Sequence, residues 1–271
     1  MLMARIFRLV RLTALCLAAL APAPIAFGSA FSTDNSDIYN AANESGWAVE
    51  LVQRGDAVFA TIYTYDSNML PIFYTAALFY GGTDASGNAI WTGDLYVTTG
   101  PWFGAKPFDP SKVVYRKVGT MNYVPQFTES GAVTFTIDGV VVAKQVSRVT
   151  FRLDNYAGTY QGTYKIVASG CANPSNNGTF YTDAAFTVTQ GNNALTIVAA
   201  DDAGDSCTFP GDYAQSGQFG QSRGSFTCTT GIKGGNLFFE MNVTPTDFRG
   251  RILGTDNLGC SLTGSIAGVR R

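Results

Sequence analysis

The chain has 271 residues, 14% of them charged and 46% apolar, with 30 glycines, 19 Phe, 13 Tyr and a formal net charge of −2. Against the roughly 25% charge and about 7% glycine of an average soluble domain, that inventory excludes a coiled coil or a charged helical bundle. The sequence contains no histidine, which removes Ser-His and Cys-His nucleophile pairs, His-ligated zinc or haem, and the usual general base near neutral pH.

Residues 1–30 read as a cleaved export signal. Arg5, Arg8 and Arg11 form a positive n-region, the run from Leu12 to Leu20 is apolar, and Gly28-Ser29-Ala30 offers a small-x-small cleavage site. The apolar stretch ends at Pro22 and Pro24, short of the roughly 20 residues that cross a bilayer, so no membrane span is expected in the mature chain. A lipoprotein signal at Cys16 is disfavoured because Leu15 stands where a small residue is needed. Without the signal, 15 Lys and Arg face 20 Asp and Glu, a net charge of −5. No basic stripe is visible, which argues against a nucleic-acid partner. The expected location is secreted or periplasmic.

The mature chain carries no amphipathic helix pattern. Short runs of Val, Ile, Thr, Phe and Tyr punctuated by Gly, Asn and Asp predict an all-β fold of two packed antiparallel meander or barrel-like domains, 31–154 and 155–271. In the first domain, the predicted strands 56–65 and 70–80 are apolar on both alternating faces: Phe59, Tyr63 and Tyr65 oppose Val58, Ala60 and Ile62, and Tyr74 and Leu78 oppose Phe73 and Phe79. A sheet with one face in water alternates cleanly. Both faces are therefore expected to be covered, by the second half in the first instance, otherwise by a partner chain or a ligand in a barrel mouth. Arg54-Gly55-Asp56 spells an adhesion tripeptide at a predicted hairpin tip, where Gly-Asp is also ordinary turn chemistry.

The Gly- and Pro-held loop Thr99 to Phe108 carries Trp102 and Phe103, either as a recognition surface or as a plug for a barrel end. Aromatic rings with polar tips suit sugars and other semi-polar ligands. The candidate ligand-binding residues are accordingly Trp47, Tyr63, Tyr65, Tyr74, Trp91, Trp102 and Phe103. Further on, Val133 to Ile137, Asp138-Gly139 and Val140 to Val146 predict a hairpin with a type I′ turn that sets Ile137 opposite Val140 and Phe135 opposite Val142. Val149, Phe151 and Leu153 are out of phase with Val140, Val142 and Val146, which predicts a bulge near Ser147.

The second domain opens near Gly158. Phe186 and Val188 lead into Gln190-Gly-Asn-Asn193, with Leu195, Ile197 and Ala199 returning as a second hairpin. Its four cysteines, an even set in an exported chain, read as disulfides. Two predicted strands flanking a turn over 216–223 place Cys207 opposite Cys228, leaving Cys171 to meet Cys260 between the first and last strands of a closed barrel. The absence of any C-x-x-C spacing leaves no expected metal site or cofactor. Asp201-Asp202-Ala-Gly-Asp205 reads as a solvated turn rather than a calcium loop. Sequons at Asn43, Asn177 and Asn242 carry no weight in a chain of bacterial type.

Asn43-Glu-Ser-Gly-Trp47, Gly55-Asp56, Phe59-Ala60, Tyr63-Thr-Tyr-Asp66 and Pro71 together resemble an uncharacterised module that recurs in secreted proteins of Gram-negative bacteria, over residues 43–152. The resemblance implies an exported β fold and no activity; Phe73-Tyr74 stand where the pattern has a Trp after the proline. The opening of the second half, Gly158-Thr-Tyr-Gln-Gly-Thr-Tyr164, loosely resembles avidin-like and lipocalin-like barrels. The functional expectation is a non-catalytic binding protein for a small molecule or glycan. Its alternatives are a structural or assembly protein with a protein partner or a second copy, and a hydrolase using paired carboxylates without histidine.

Overall fold

The computed structural model describes Thr33–Arg271, so the export signal read over residues 1–30 lies outside the described residues. Strands run β1 Asp37–Asn40, β2 Ala48–Arg54, β3 Ala57–Tyr65, β4 Pro71–Thr83, β5 Ala89–Thr99, β6 Val114–Gln126, β7 Ser130–Ile137 and β8 Val140–Arg148, each paired antiparallel with the next. β8 returns to β1 through Tyr39–Arg148 and Asn40–Ser147, closing an eight-stranded barrel. A second closed barrel follows: β9 Gly158–Ser169, β10 Gly178–Gln190, β11 Ala194–Asp201, β12 Ser206–Ser216, β13 Phe219–Cys228, β14 Lys233–Val243, β15 Asp247–Asp256 and β16 Ser261–Arg270, with β16 paired to β9. The fold is therefore all-β, two antiparallel meanders each closed on itself, which abolishes sheet edges.

Period-2 patterning sets what each strand buries. Val58, Ala60 and Ile62 of β3 point inward with Tyr39, Val49, Leu51, Leu78, Trp91, Leu95, Met121 and Tyr123, and together they fill the first barrel. The Asp138-Gly139 hairpin forms in the expected register, both turn residues at positive φ (47° and 87°). No bulge occurs near Ser147: β7 and β8 pair without interruption from Ile137–Val140 to Ser130–Ser147. The change of phase at Val149, Phe151 and Leu153 arises because the chain leaves the sheet after Arg148, and Phe151 and Leu153 lie exposed. The second half does not cover β3 and β4: Phe59, Tyr63, Tyr65, Phe73 and Phe79 face outward and are 45–58% exposed. A barrel lumen holds side chains from one face of each strand only, so this second apolar face has to lie on the outer wall.

In the second barrel the 190–193 hairpin pairs Phe186 with Ala199 and Val188 with Ile197, as the pattern predicts. The turn after β12 is tighter than expected: Gly217 and Gln218 alone connect β12 to β13, and Phe219 to Arg223 belong to the strand. At the closing seam a Cβ on Gly162 would lie 1.9 Å from the Ala267 carbonyl oxygen, and one on Gly264 would lie 2.0 Å from that of Lys165. Only glycine lets β9 and β16 approach that closely.

Residues 149–157 carry the chain from one barrel to the other, and Arg148 fastens the junction. Its side chain is 1% exposed and donates to the carbonyls of Thr128 (2.7 Å), Ser36 (3.1 Å) and Asp34 (2.7 Å) and to Asp37 Oδ2 (3.1 Å). The guanidinium also lies over the rings of Tyr39 and, from the second barrel, Phe219, 5.1 and 4.9 Å from their centroids. Asp37 Oδ2 accepts a second bond from the Gln218 N–H at 3.0 Å, and Phe127 stacks on Phe239 at 5.6 Å. The halves are thus packed on each other end to end, through one rim of each barrel.

Candidate functional site

The two ends of the second barrel are filled differently. At the end facing the first barrel, Tyr160, Phe186 and Phe248 interlock with centroids 4.5 and 5.5 Å apart, and Tyr156 from the connecting segment is fully buried over them. Towards the far end, Ile166 and Ala168 of β9, Ala199 of β11 and Ile252 of β15 are among the residues that line a cavity of about 410 Å³. Phe209 forms part of its wall, stacked on Phe226 at 5.5 Å and edge-on to Phe238 at 5.3 Å.

Both disulfides lie at this end. Cys207–Cys228 joins directly paired residues of β12 and β13, and Cys171–Cys260 joins the residue pair just beyond the β9–β16 seam, with Cα separations of 4.0 and 3.9 Å. They are the pairings that strand adjacency predicts, and Cys207, Cys228 and Cys260 line the cavity. The rim is tied further by Asn177 Oδ1, which accepts from the Cys171 N–H, and by Asp256 Oδ1, which accepts from the N–H groups of Leu258 and Cys260 at 2.9 Å each.

Of the polar residues on the lining, Ser175, Asn176, Thr182, Asn236 and Asp256, only Asn236 is buried. Asn236 of β14 is 6% exposed, and its carboxamide oxygen is buried without a hydrogen-bond partner. Its cross-strand neighbours are Gly224 and Gly254, which have no side chain to offer it. Buried polar groups are nearly always paired, so this one marks the cavity chemically. No Lys or Arg lines the cavity, and Asp256 is its single carboxylate. The lining can enclose an apolar body and offer it the buried amide of Asn236, with Ser175, Asn176 and Thr182 as further, less buried polar groups. Among the described residues no cluster of His, Cys, Asp or Glu could hold a metal, and no helix is long and apolar enough to cross a membrane.

The candidate ligand-binding residues named from the sequence all belong to the first half, and the structure brings only some of them together. Trp47, Tyr63 and Tyr65, with Phe73, wall an open groove of about 460 Å³ at the rim away from the second barrel. Its polar fringe is set by Tyr63, which donates to Glu50 at 2.6 Å, and by Trp47 Nε1, which donates to Glu44 at 3.2 Å. The Glu50 hydrogen bond raises the Tyr63 phenol above its ordinary pKa, and Lys144, 2.6 Å from Glu44, holds that carboxyl below its own. Trp91 is fully buried and Tyr74 faces the lumen. Neither presents a face to a ligand, because each occupies an inward phase of its strand. Trp102 and Phe103 pack on each other at 5.5 Å and are 70% and 87% exposed, so their loop is no plug. Asp201 Oδ1 accepts from the N–H groups of Ala203 and Asp205, the hydrogen bonds of a solvated turn.

The second-barrel cavity carried no expectation from the sequence. The signal that could have pointed to it is Asn236 in phase with the apolar Phe238 two residues on and preceded by Gly234-Gly235. No family model matches this chain, nor does any curated protein. It has a distant likeness to a solved structure from Nostoc punctiforme, a protein of unknown function from the DUF3598 family. That protein is 8% identical, with 88% of this chain and 94% of the other covered at a TM-score of 0.27.

Proposed function

We propose that this is an exported, non-catalytic binding protein that holds a small apolar molecule inside its second barrel. The observation that carries the reading is the cavity of about 410 Å³ at the disulfide-fastened end. Ligand pockets commonly span about 300–1,000 Å³ and combine an apolar lining with a few placed polar groups. An engineered apolar cavity of about 150 Å³ already takes up benzene, so this one has room for a considerably larger guest. Two disulfides support an oxidising compartment, periplasmic or extracellular. Titration with the neutral fluorophore N-phenyl-1-naphthylamine tests the reading. Saturable enhancement at one site per chain is expected, and Ala199→Phe, which puts a ring into the space beside Phe209, should remove it. No enhancement with the wild-type chain, or full enhancement with the filled variant, overturns it.

A second reading rests on the groove of Trp47, Tyr63, Tyr65 and Phe73. Flat rings fringed by Glu44 and Glu50 suit a sugar or another semi-polar ligand. Here a glycan array should give hits that Tyr63→Ala and Tyr65→Ala abolish; a blank array disposes of this second site.

A further inference from the structure

Resting on the cavity reading above, we propose that the second barrel selects neutral amphiphiles that carry a hydroxyl, medium-chain alcohols or phenols, over fatty acids and over molecules of like size with no O–H. The selecting group is Asn236. It is 6% exposed, its carboxamide oxygen has no partner, its cross-strand neighbours are glycines, and the other neutral polar side chains on the lining, Ser175, Asn176 and Thr182, are less buried. A carboxamide can turn about its last torsion and present either its oxygen or its NH2. A hydroxyl donates and accepts, so it satisfies Asn236 in both orientations. An ether can only accept and leaves the oxygen unpaired.

The electrostatics of the wall act in the same direction. A carboxylate carried into this cavity meets no Lys or Arg, and the one charged group on the lining is the carboxylate of Asp256, held in place at the rim by two backbone N–H groups. A buried anion without a partner is strongly disfavoured. Fatty acids of the same chain length are thereby rejected at the head group while their tails would fit.

Calorimetric titration of the wild-type chain at neutral pH with 1-octanol, 1-methoxyoctane and octanoate is the test. One satisfied buried hydrogen bond corresponds to about tenfold in affinity, so 1-octanol should bind about tenfold tighter than 1-methoxyoctane, with octanoate weakest. In Asn236→Leu the alcohol and the ether should come within about twofold of each other, with ether binding retained. Equal affinities for alcohol and ether in the wild type, octanoate binding as tightly as octanol, or a preference that survives in Asn236→Leu would each overturn the selection while leaving the cavity reading in place. Binding of none of the three removes the cavity reading itself. The wild-type comparison needs no variant, so a misfolded Asn236→Leu does not decide the matter.

Discussion

Replacing Arg148 with Met gives the sharpest view of what joins the two barrels. Met keeps the apolar stem between Tyr39 and Phe219 and removes every donor. Three carbonyl oxygens, of Thr128, Ser36 and Asp34, then lose a partner, and Asp37, 11% exposed, keeps only the backbone N–H groups of Ile38 and Gln218, with no cation beside it. Breaking a buried ion pair by removing one member costs about 3–5 kcal/mol, because the other charge is left uncompensated. For a chain of this size that corresponds to a fall in Tm of roughly 6–20 °C. Urea titration and thermal melting measure it directly. Arg148→Lys should recover less than half of the loss, since one ammonium cannot reach four acceptors that a planar fork serves. In the double variant Arg148→Met with Asp37→Asn, the losses should be less than additive by about 1–3 kcal/mol. A Tm for Arg148→Met within about 2 °C of wild type would refute the view that this side chain organises the junction.

Other expectations follow from the seam, the staples and the buried phenols. Gly162→Ala forces a methyl to within 1.9 Å of the Ala267 carbonyl, so β9 and β16 must separate; a loss of about 1–3 kcal/mol is expected in urea titration, against no change for Gly191→Ala, where nothing lies near. Paired Cys→Ser replacement at 171 and 260, which close 89 residues of separation, should cost about 4–5 kcal/mol in the chain-entropy account. The 207–228 pair, with a separation of 21, should cost about 3 kcal/mol by the same measure. Burial raises the phenols of Tyr39, Tyr123 and Tyr156 and, first through burial and then through the nearby Asp154, pushes Tyr213 up to about 12. A folded-state pKa above the unfolded value stabilises the fold below about pH 10 and is lost as pH rises towards 12. Alkaline unfolding should therefore coincide with a late step of phenolate absorbance, and ionisation of all tyrosines near pH 10 in the native chain would contradict that burial.

Much of the fold was legible because its signals are local. Strand alternation, the Asp138-Gly139 turn and the Gln190–Asn193 turn each depend on a few adjacent residues, and both disulfides follow once Cys207 and Cys228 are seen on neighbouring strands. What escaped depends on closure. Phe59, Tyr63 and Phe73 are apolar, but apolarity does not say which face a closed sheet turns inward, and a lumen already filled by Val58, Ile62 and Leu78 sends them outside. The cavity is less local still. Its walls come from strands far apart in sequence, Ala168 of β9, Ala199 of β11 and Ile252 of β15 among them, and it opens beyond the packed rings of Tyr160, Phe186 and Phe248. Of the proposed aromatic surface, Trp47, Tyr63 and Tyr65 converge because β2, β3 and β4 are consecutive; Trp91 does not, because its phase on β5 is inward.

All three tryptophans lie in the first barrel, which makes the location of a guest directly readable. In an NMR titration of the isotope-labelled chain with N-phenyl-1-naphthylamine, methyl signals of Ile166, Ile252 and Ile266 should move together and saturate, while the indole N–H signals of Trp47, Trp91 and Trp102 stay in place. Shifts confined to the indole signals, with those three isoleucines unmoved, would contradict a guest held in the second barrel.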